Sequence, residues 1–253
     1  MRNRQLPISS HLTELRGRLG RSVIAILLCT MLAFVFHQQI LEMLMVPAQG
    51  FSDIPNEKPI YTDMTEFVGV AMKVSLLGGL ILAMPFFLYQ IVMFVSPGLE
   101  GSERRYLLVL LPLSLIAFLV GAAFGYRVLF PPAVGFLLSF GSEVATPYIR
   151  IGNYVSLMLT LLFWMGIVFE MPIVTFFLTK IGVVTPGFLA KNRRYAVVIA
   201  FVLGALITPT FDPINQSLVA LPIIAMYEIG IWLSKLGARG REGVVKLKLE
   251  TRE

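Results

Sequence analysis

The stretch SSHLTELRGRLGR at residues 9–21 runs directly into the apolar stretch SVIAILLCTMLAFVFHQQ at residues 22–39, and together they decide the fold. On a helix at about 100° per residue, the leucines of the first stretch share one side, and most of its charged residues lie roughly opposite. Such a segment lies in the plane of a membrane interface. The second stretch is apolar and long enough to cross the bilayer. The sequence therefore predicts an amphipathic helix over residues 9–21, followed by a first transmembrane helix.

The composition places the rest of the chain in a membrane as well. Of the 253 residues, 57% are hydrophobic and only 14% are charged, and the mean hydropathy is +0.80. So few polar side chains cannot cover a soluble globule, and lipid must cover much of the surface. We therefore expect an all-α polytopic membrane protein, with one membrane domain over residues 1–235 and a cytoplasmic tail over residues 236–253.

The apolar runs predict how many helices cross the membrane. A hydrocarbon core of about 30 Å needs about 20 apolar residues in a helix. By that criterion there are six candidate spans: Ser22 to Gln39, Phe67 to Val95, Tyr106 to Tyr126, Tyr154 to Leu178, Tyr195 to Ile207 and Gln216 to Leu233. The fifth would cover only about 20 Å at 1.5 Å per residue. Prolines recur inside the spans and favour kinks, so we expect a curved, concave wall with short fifth and sixth helices.

The distribution of lysine and arginine predicts the orientation. The N-terminal segment carries five such residues, the loop at 96–105 two, the loop at 179–194 four and the tail from 234 six, whereas the loops on the opposite side carry three. By the positive-inside rule, both termini lie in the cytoplasm, an N-in/C-in topology. The net charge of +6 then reflects topology and does not indicate nucleic-acid binding.

The residue types argue against metal, cofactor and enzyme chemistry. The single cysteine, Cys29, lies inside an apolar run, and the two histidines, His11 and His37, are far apart in the sequence. This pattern does not suggest a metal site. The spans contain no aspartate pair and no His-Glu-x-x-His, the patterns of intramembrane and metal-dependent proteases. We therefore expect neither a cofactor nor an enzymatic activity.

One acidic residue stands inside an apolar span. Glu170, in Phe169-Glu170-Met171-Pro172, has no basic residue nearby in the sequence. Ionisable groups at such depth are costly, and they usually face a cavity or a partner that gives them a function. A protonated Glu170 bonded to carbonyls freed by Pro172 is the structural alternative. As a proton or cation site, the same residue would suit a secondary transporter or an ion channel.

A polar turn, TPTFDPINQ at residues 208–216, joins the fifth and sixth spans. Asp212 before Pro213 is typical of a turn, and Asn215 is a candidate cap of the sixth helix. Thr208 and Gln216 flank apolar helices, and they also suit hydrogen bonds to a partner helix in the membrane. From the residues alone, both interpretations stay open.

Two acidic residues belong to the cytoplasmic face. Glu14 lies in the N-terminal segment, and Glu103 lies in the loop SPGLEGSERR at residues 96–105. Locally, Glu14 is expected to pair with Arg18 one turn later, and Glu103 to interact with the dipole of the third helix. Carboxylates also bind guanidinium groups through two hydrogen bonds at once, so this pair suits a ligand that presents two arginines.

Four motifs, taken in order, resemble the TatC family, the multispanning receptor subunits of twin-arginine protein translocases. The motifs are HLTELRGR at 11–18, SPGL at 96–99 with ERR at 103–105, FEMP at 169–172, and Thr208-Pro209 with Asp212 and Gln216. The resemblance runs from residue 9 to residue 235. The chain departs from the family at the last motif, where the common Thr-Pro-Pro-Asp is one residue longer.

The resemblance implies a binding site for signal peptides. It implies that Glu14 and Glu103 bind the arginine pair of the peptide and that Arg16 shapes this site. It also implies that Pro85 and Phe94 belong to the surrounding receptor surface. The cargo would be folded proteins, exported across the cytoplasmic (inner) membrane of a bacterium.

The resemblance also implies partners inside the membrane. It assigns Glu170 to the concave face as a buried acid. It assigns Thr208, Asp212 and Gln216 to the docking of the single-span subunits TatA and TatB, in a complex that contains more than one copy of the chain. The leading hypothesis is thus a receptor and translocase subunit, and the alternative is a transporter or channel that uses Glu170.

Overall fold

The computed structural model describes residues 8–50, 59–95, 101–140, 148–180, 182–208 and 212–250. In these ranges the chain is helical apart from turns, and its extended pairing is limited to one parallel bridge between Ile60 and Arg150. Among the described residues, five helical segments are long and apolar enough to cross a membrane. The prediction of an all-α fold is confirmed.

Nine α-helices lie within the described ranges. In chain order they are α1 (Ile8–Val35), α2 (His37–Met45), α3 (Glu66–Val95), α4 (Gly101–Phe124), α5 (Phe130–Ser139), α6 (Ile151–Lys180), α7 (Pro186–Lys191), α8 (Arg193–Ile207) and α9 (Pro213–Glu250). A 3-10 turn, Val46–Gly50, follows α2, and a π-helical turn, Gly125–Leu129, joins α4 to α5.

The amphipathic segment and the first predicted span form one helix. α1 runs without a break over 28 residues. At the junction, the Ser22 hydroxyl donates a hydrogen bond to the Arg18 carbonyl at 3.1 Å, one turn earlier in the same helix. The charged N-terminal turns and the apolar part of α1 therefore form one continuous helix.

The fifth predicted span is short, as expected. α8 has 15 residues and ends at Ile207, which gives it a length of about 22 Å. It is not among the five long apolar helices. A bilayer that α8 crosses would have to be locally thin.

The expectation of a short sixth helix is wrong. α9 has 38 residues, and its apolar part, Pro213–Ala238, has 26. Hydropathy predicts where the apolar, lipid-facing part of a helix ends. The helix itself ends only where its backbone hydrogen bonds are interrupted. Beyond Leu233 the sequence becomes charged yet contains no proline, so the helix continues.

The predicted outer loops are also shorter than expected. The loop at 127–153 begins as helix, because α5 extends the apolar segment to Ser139. Pro131 and Pro132 lie in the first turn of α5, where a missing backbone N–H costs no intrahelical hydrogen bond. Similarly, the loop at 40–66 begins with the last part of α2.

The chain divides into two compact units, and residues 1–115 and 148–156 form the first. In this unit α1 packs along α3. The closest approach is at Gly79, where an added Cβ would overlap the backbone and hydroxyl of Thr30. Ala33 and Val74 are buried in the same unit. A residue without a side chain therefore sets how closely these two helices pack.

The second unit comprises residues 116–147 and 157–253. Its core includes Phe118 and Met165, which are 1% and 0% exposed. A buried hydrogen bond of 2.6 Å joins the hydroxyls of Thr179 on α6 and Ser234 on α9. α8 packs on α9. The predicted single membrane domain over residues 1–235 stays a prediction.

Candidate functional site

Glu14 lies on α1 and is paired with a guanidinium group of its own helix. Its Oε1 atom accepts hydrogen bonds from Arg18 Nη2 at 2.5 Å and from Arg18 Nε at 3.0 Å. The side chains are 31% exposed for Glu14 and 16% exposed for Arg18. The expected pairing one turn apart is therefore present, and it uses two N–H groups of one guanidinium group. Both bonds end on one carboxylate oxygen, whereas a fully bidentate pair of an arginine and a carboxylate uses both oxygens.

A third side chain approaches the same guanidinium group from another helix. Arg18 Nη1 lies 3.5 Å from Gln90 Oε1 on α3, and Gln90 is only 6% exposed. The Arg18 head group thus lies between a carboxylate on α1 and a buried amide on α3. The sequence did not predict a role for Gln90. The only signal in the sequence was a polar residue near the C-terminal end of an apolar span.

The other residues implied for signal-peptide binding are only partly described. Arg16 on α1 and Pro85 inside α3 are both exposed. Phe94 and Glu103 lie in the helices α3 and α4, but their side chains are outside the described part of the chain. That Glu103 joins Glu14 in one site therefore stays a prediction.

Glu170 lies within α6, two residues before the proline inside that helix, and is 8% exposed. An aromatic pair adjoins it, since the rings of Phe124 and Phe169 are 5.4 Å apart. The acid is thus buried in an apolar part of the second unit. Its assignment to a peptide or partner contact stays a prediction.

The polar turn before α9 is organised by hydrogen bonds within the chain. Thr208 donates its hydroxyl proton to the Gly204 carbonyl at 2.8 Å and ends α8. Asp212 caps α9, because its Oδ2 atom accepts from the backbone N–H of Asn215 at 2.7 Å. The expectation that Asn215 caps this helix is wrong, because Asn215 is already the third helical residue. Its side-chain amide instead donates to Asp212 Oδ1 at 3.2 Å.

Gln216 joins the two helices on either side of the turn. Its side-chain amide donates to the backbone carbonyl of Phe201 on α8 at 2.8 Å, and this bond lies at the exposed surface. Beside it, a Cβ on Gly204 would lie 2.8 Å from the Gln216 carbonyl oxygen. Gln216 therefore links α8 to α9, whereas Thr208 and Asp212 bond within the ends of their own helices. Partner docking by these three residues stays a prediction.

Comparison with known proteins gives the family. The family model for the Sec-independent protein translocase protein (TatC) matches residues 10–222. The chain belongs to the TatC family. The TatC protein of Aquifex aeolicus (strain VF5) is 41% identical over 243 residues, which cover 95% of this chain and 100% of that protein. The TatC protein of Carboxydothermus hydrogenoformans is 36% identical over 235 residues, which cover 93% of this chain and 95% of that one.

Solved TatC structures have the same fold. A crystal structure of the twin-arginine translocase receptor TatC matches with a TM-score of 0.80 at 42% identity, over 90% of this chain and 99% of that chain. A second TatC structure, in DDM, matches with a TM-score of 0.80 at 41% identity. The resemblance based on the four TatC motifs is confirmed. The TatC match begins at residue 10, in the stretch that contains Glu14, and it includes the polar turn before α9.

Proposed function

We propose that this chain is the signal-peptide receptor and core subunit of a twin-arginine translocase, which exports folded proteins across the bacterial cytoplasmic membrane. Its membership of the TatC family supports this role, and the TatC crystal structure that it resembles is described as a translocase receptor. The observation that carries the proposal is Glu14, a partly buried carboxylate on α1 that already binds a guanidinium group. The subunit acts by recognition and assembly and requires no catalytic centre.

In this proposal, recognition begins when two arginines of the peptide meet two carboxylates. Glu14 and Glu103 each accept two N–H groups from one guanidinium fork. A lysine presents a compact ammonium group without this fork, so a peptide with two lysines binds more weakly. Arg16 adds positive charge near Glu14. This charge repels cations that lack the guanidinium fork, such as the ammonium group of a lysine. Pro85 and Phe94 on α3 supply apolar surface for the rest of the peptide.

Arg18 is the group that the peptide displaces from Glu14. A peptide arginine takes the place at Glu14 that the Arg18 guanidinium group occupies in the free protein. The exchange replaces one charge-assisted pair by another, so the carboxylate is never left unpaired in its partly buried position. Gln90 keeps a hydrogen-bond acceptor close to Arg18 during this exchange.

In the proposed orientation, this site lies on the cytoplasmic side of the membrane. The chain crosses the membrane six times, through α1, α3, α4 with α5, α6, α8 and α9, and both termini are cytoplasmic. The excess of lysine and arginine in the segments on that side supports this topology. The short α8 is the crossing at which the bilayer thins. The curved wall stays a prediction.

Later steps use the polar groups inside the membrane. The apolar part of the peptide moves along the receptor toward Glu170, which receives a polar group from the peptide or from a partner helix. TatA and TatB dock near Thr208, Asp212 and Gln216. Among these three, the bond from Gln216 to Phe201 lies at the exposed surface, so a polar side chain of a partner can exchange with it.

The test is site-specific photocrosslinking between the protein in membranes and a twin-arginine signal peptide. Replacing both Glu14 and Glu103 with Gln should abolish crosslinking at the cytoplasmic site, while the protein still inserts. The matched control is Glu42→Gln, which removes one exposed carboxylate from α2 and should leave crosslinking unchanged.

Crosslinking of the double variant at the level of the unchanged protein would overturn the proposal. Transport of ions or solutes by the purified protein in liposomes, together with no capture of single-span partners, would instead favour the transporter that uses Glu170.

A further inference from the structure

A lysine lies inside the apolar part of α3, away from the signal-peptide site. Lys73 is seven residues after Glu66, where α3 begins, so its Cα lies about 10 Å along the helix from that end. The residue falls within the segment Glu66–Ile91, one of the five helices suited to cross a membrane. A cation at this depth is costly unless it meets water, an anion or another polar group.

The exposed surface around Lys73 has the character of a lipid-facing surface. Lys73 itself is exposed. Val68, Met72 and Leu76, which lie nearby on the same helix, are 58%, 62% and 54% exposed. Val70 and Val74 are buried on the adjoining side of the helix, so Lys73 lies at the edge of the exposed apolar surface. The ammonium group therefore belongs to an apolar surface and not to the interior of the unit.

Lys73 has a hydroxyl partner on a second helix. Its Nζ atom donates a hydrogen bond to Ser156 Oγ on α6 at 2.9 Å. Among the described residues, no carboxylate forms an ion pair with Lys73. A hydroxyl group does not neutralise the charge, so the positive charge of Lys73 remains available to an anion.

The nearest acidic residues in sequence are engaged by other groups. Glu66 Oε2 binds Arg150 Nη2 and the backbone N–H of Thr62, both at 3.0 Å, and its Oε1 accepts from the Gly152 N–H at 2.9 Å. Asp63 accepts from the backbone N–H and the hydroxyl of Thr65, and these bonds keep the pKa of Asp63 below its ordinary value. Neither carboxylate serves as the counter-ion of Lys73.

We propose that Lys73, held in place by Ser156, binds the phosphate of a phospholipid in the outer leaflet. Helical side chains tilt toward the N-terminus of their helix, so the Lys73 ammonium group points back toward the polar end of α3 and the lipid head-group level. There it meets phosphate oxygens as a point charge, while the Ser156 hydroxyl oxygen, which accepts a hydrogen bond from Lys73, holds the ammonium group in place. The acyl chains of the lipid lie against Val68, Met72 and Leu76.

The positive charge of Lys73 and the apolar surface beside it together favour a phospholipid over other anions. A free phosphate ion would satisfy the ammonium group but would leave the apolar surface uncovered. The site goes beyond the proposed receptor function, because it does not involve Glu14 or the signal peptide. Only its assignment to the outer leaflet rests on the proposed orientation.

Native mass spectrometry of the full-length protein in detergent, titrated with phosphatidylglycerol, tests the proposal. Lys73→Gln should weaken binding of the first lipid by about fivefold, since one lysine near a lipid surface contributes on this scale. Lys73→Arg should keep the affinity, and Ser156→Ala should lower it by less than Lys73→Gln does. The matched control is Lys191→Gln, which removes an exposed lysine at the end of α7.

Two further ligands separate the phosphate from the acyl chains. Diacylglycerol, which lacks the phosphate, should bind the unchanged protein and Lys73→Gln equally, and inorganic phosphate should not compete with phosphatidylglycerol. Unchanged phosphatidylglycerol affinity in Lys73→Gln would overturn the proposal. The proposal would also be overturned if position 73 crosslinked to an acidic residue of a partner helix and Lys73→Gln did not change lipid binding.

Discussion

At the scale of single residues, the proposed receptor function makes Arg18 a competitor of the signal peptide for Glu14. In the free protein the Glu14 carboxylate accepts two hydrogen bonds from Arg18, and Gln90 lies close to the same guanidinium group. Partly exposed ion pairs of this kind stabilise a protein only weakly. An arginine presented by a peptide can therefore compete with Arg18 at low cost.

Replacing Arg18 with Gln should tighten binding of a twin-arginine peptide by about two- to fivefold, because the competing pair is removed. The measurement is a titration with a fluorescent signal peptide. Removing any positive charge from α1 also strengthens the general attraction of a basic peptide. The control variant Arg21→Gln measures that effect, because Arg21 is an exposed arginine on the same helix. If Arg18→Gln binds no tighter than Arg21→Gln, then Arg18 does not compete for Glu14.

At the scale of helices, the packing of α1 on α3 depends on the absence of a side chain at Gly79. Gly79→Ala should lower the free energy of unfolding in detergent by about 1 to 3 kcal/mol, because the added methyl group meets the backbone of Thr30. Gly69 lies on the same helix, with nothing within 4 Å of an added Cβ. Gly69→Ala should therefore be neutral or stabilising by up to about 1 kcal/mol. Equal effects of the two changes would show that the close approach at Gly79 is unimportant.

The start of α9 depends on the capping side chain of Asp212. Asp212→Ala should destabilise the protein by about 1 kcal/mol, whereas Asp212→Asn keeps an oxygen that can accept the Asn215 N–H and should cost little. Thermal unfolding followed by circular dichroism gives both values. Co-purification with a single-span partner then separates capping from docking: if Asp212→Asn folds normally but loses the partner, the charge itself contributes to docking. Equal destabilisation by Ala and Asn would contradict the capping role.

At the scale of the whole molecule, the proposed topology makes opposite predictions for two exposed positions. With Cys29 replaced by Ser, a cysteine at Glu42 on α2 should react with a membrane-impermeant maleimide in intact cells. A cysteine at Lys191 on α7 should react only after the membrane is opened. The reverse pattern would place the termini outside and remove Glu14 from the cytoplasm.

Local properties of the sequence were enough to predict much of this protein. Composition and apolar runs predicted the all-α membrane class, and the four motifs predicted the TatC family. The pair of Glu14 and Arg18 was also predictable, because residues four apart on a helix are neighbours whatever the rest of the fold does. Helix ends were less predictable, since α9 continues after its apolar part ends and α5 begins at prolines expected to form a loop.

By itself, the sequence determined the fold class, the family and the pairing of Glu14 with Arg18, because each of these follows from residues close together in the chain. Only the tertiary structure decided which side chains meet across helices: Arg18 with Gln90, 72 residues apart, and Lys73 with Ser156, 83 residues apart. Such meetings depend on the rotation and axial position of each helix. Packing at points of close approach such as Gly79 sets these positions, and neither hydropathy nor periodicity encodes them.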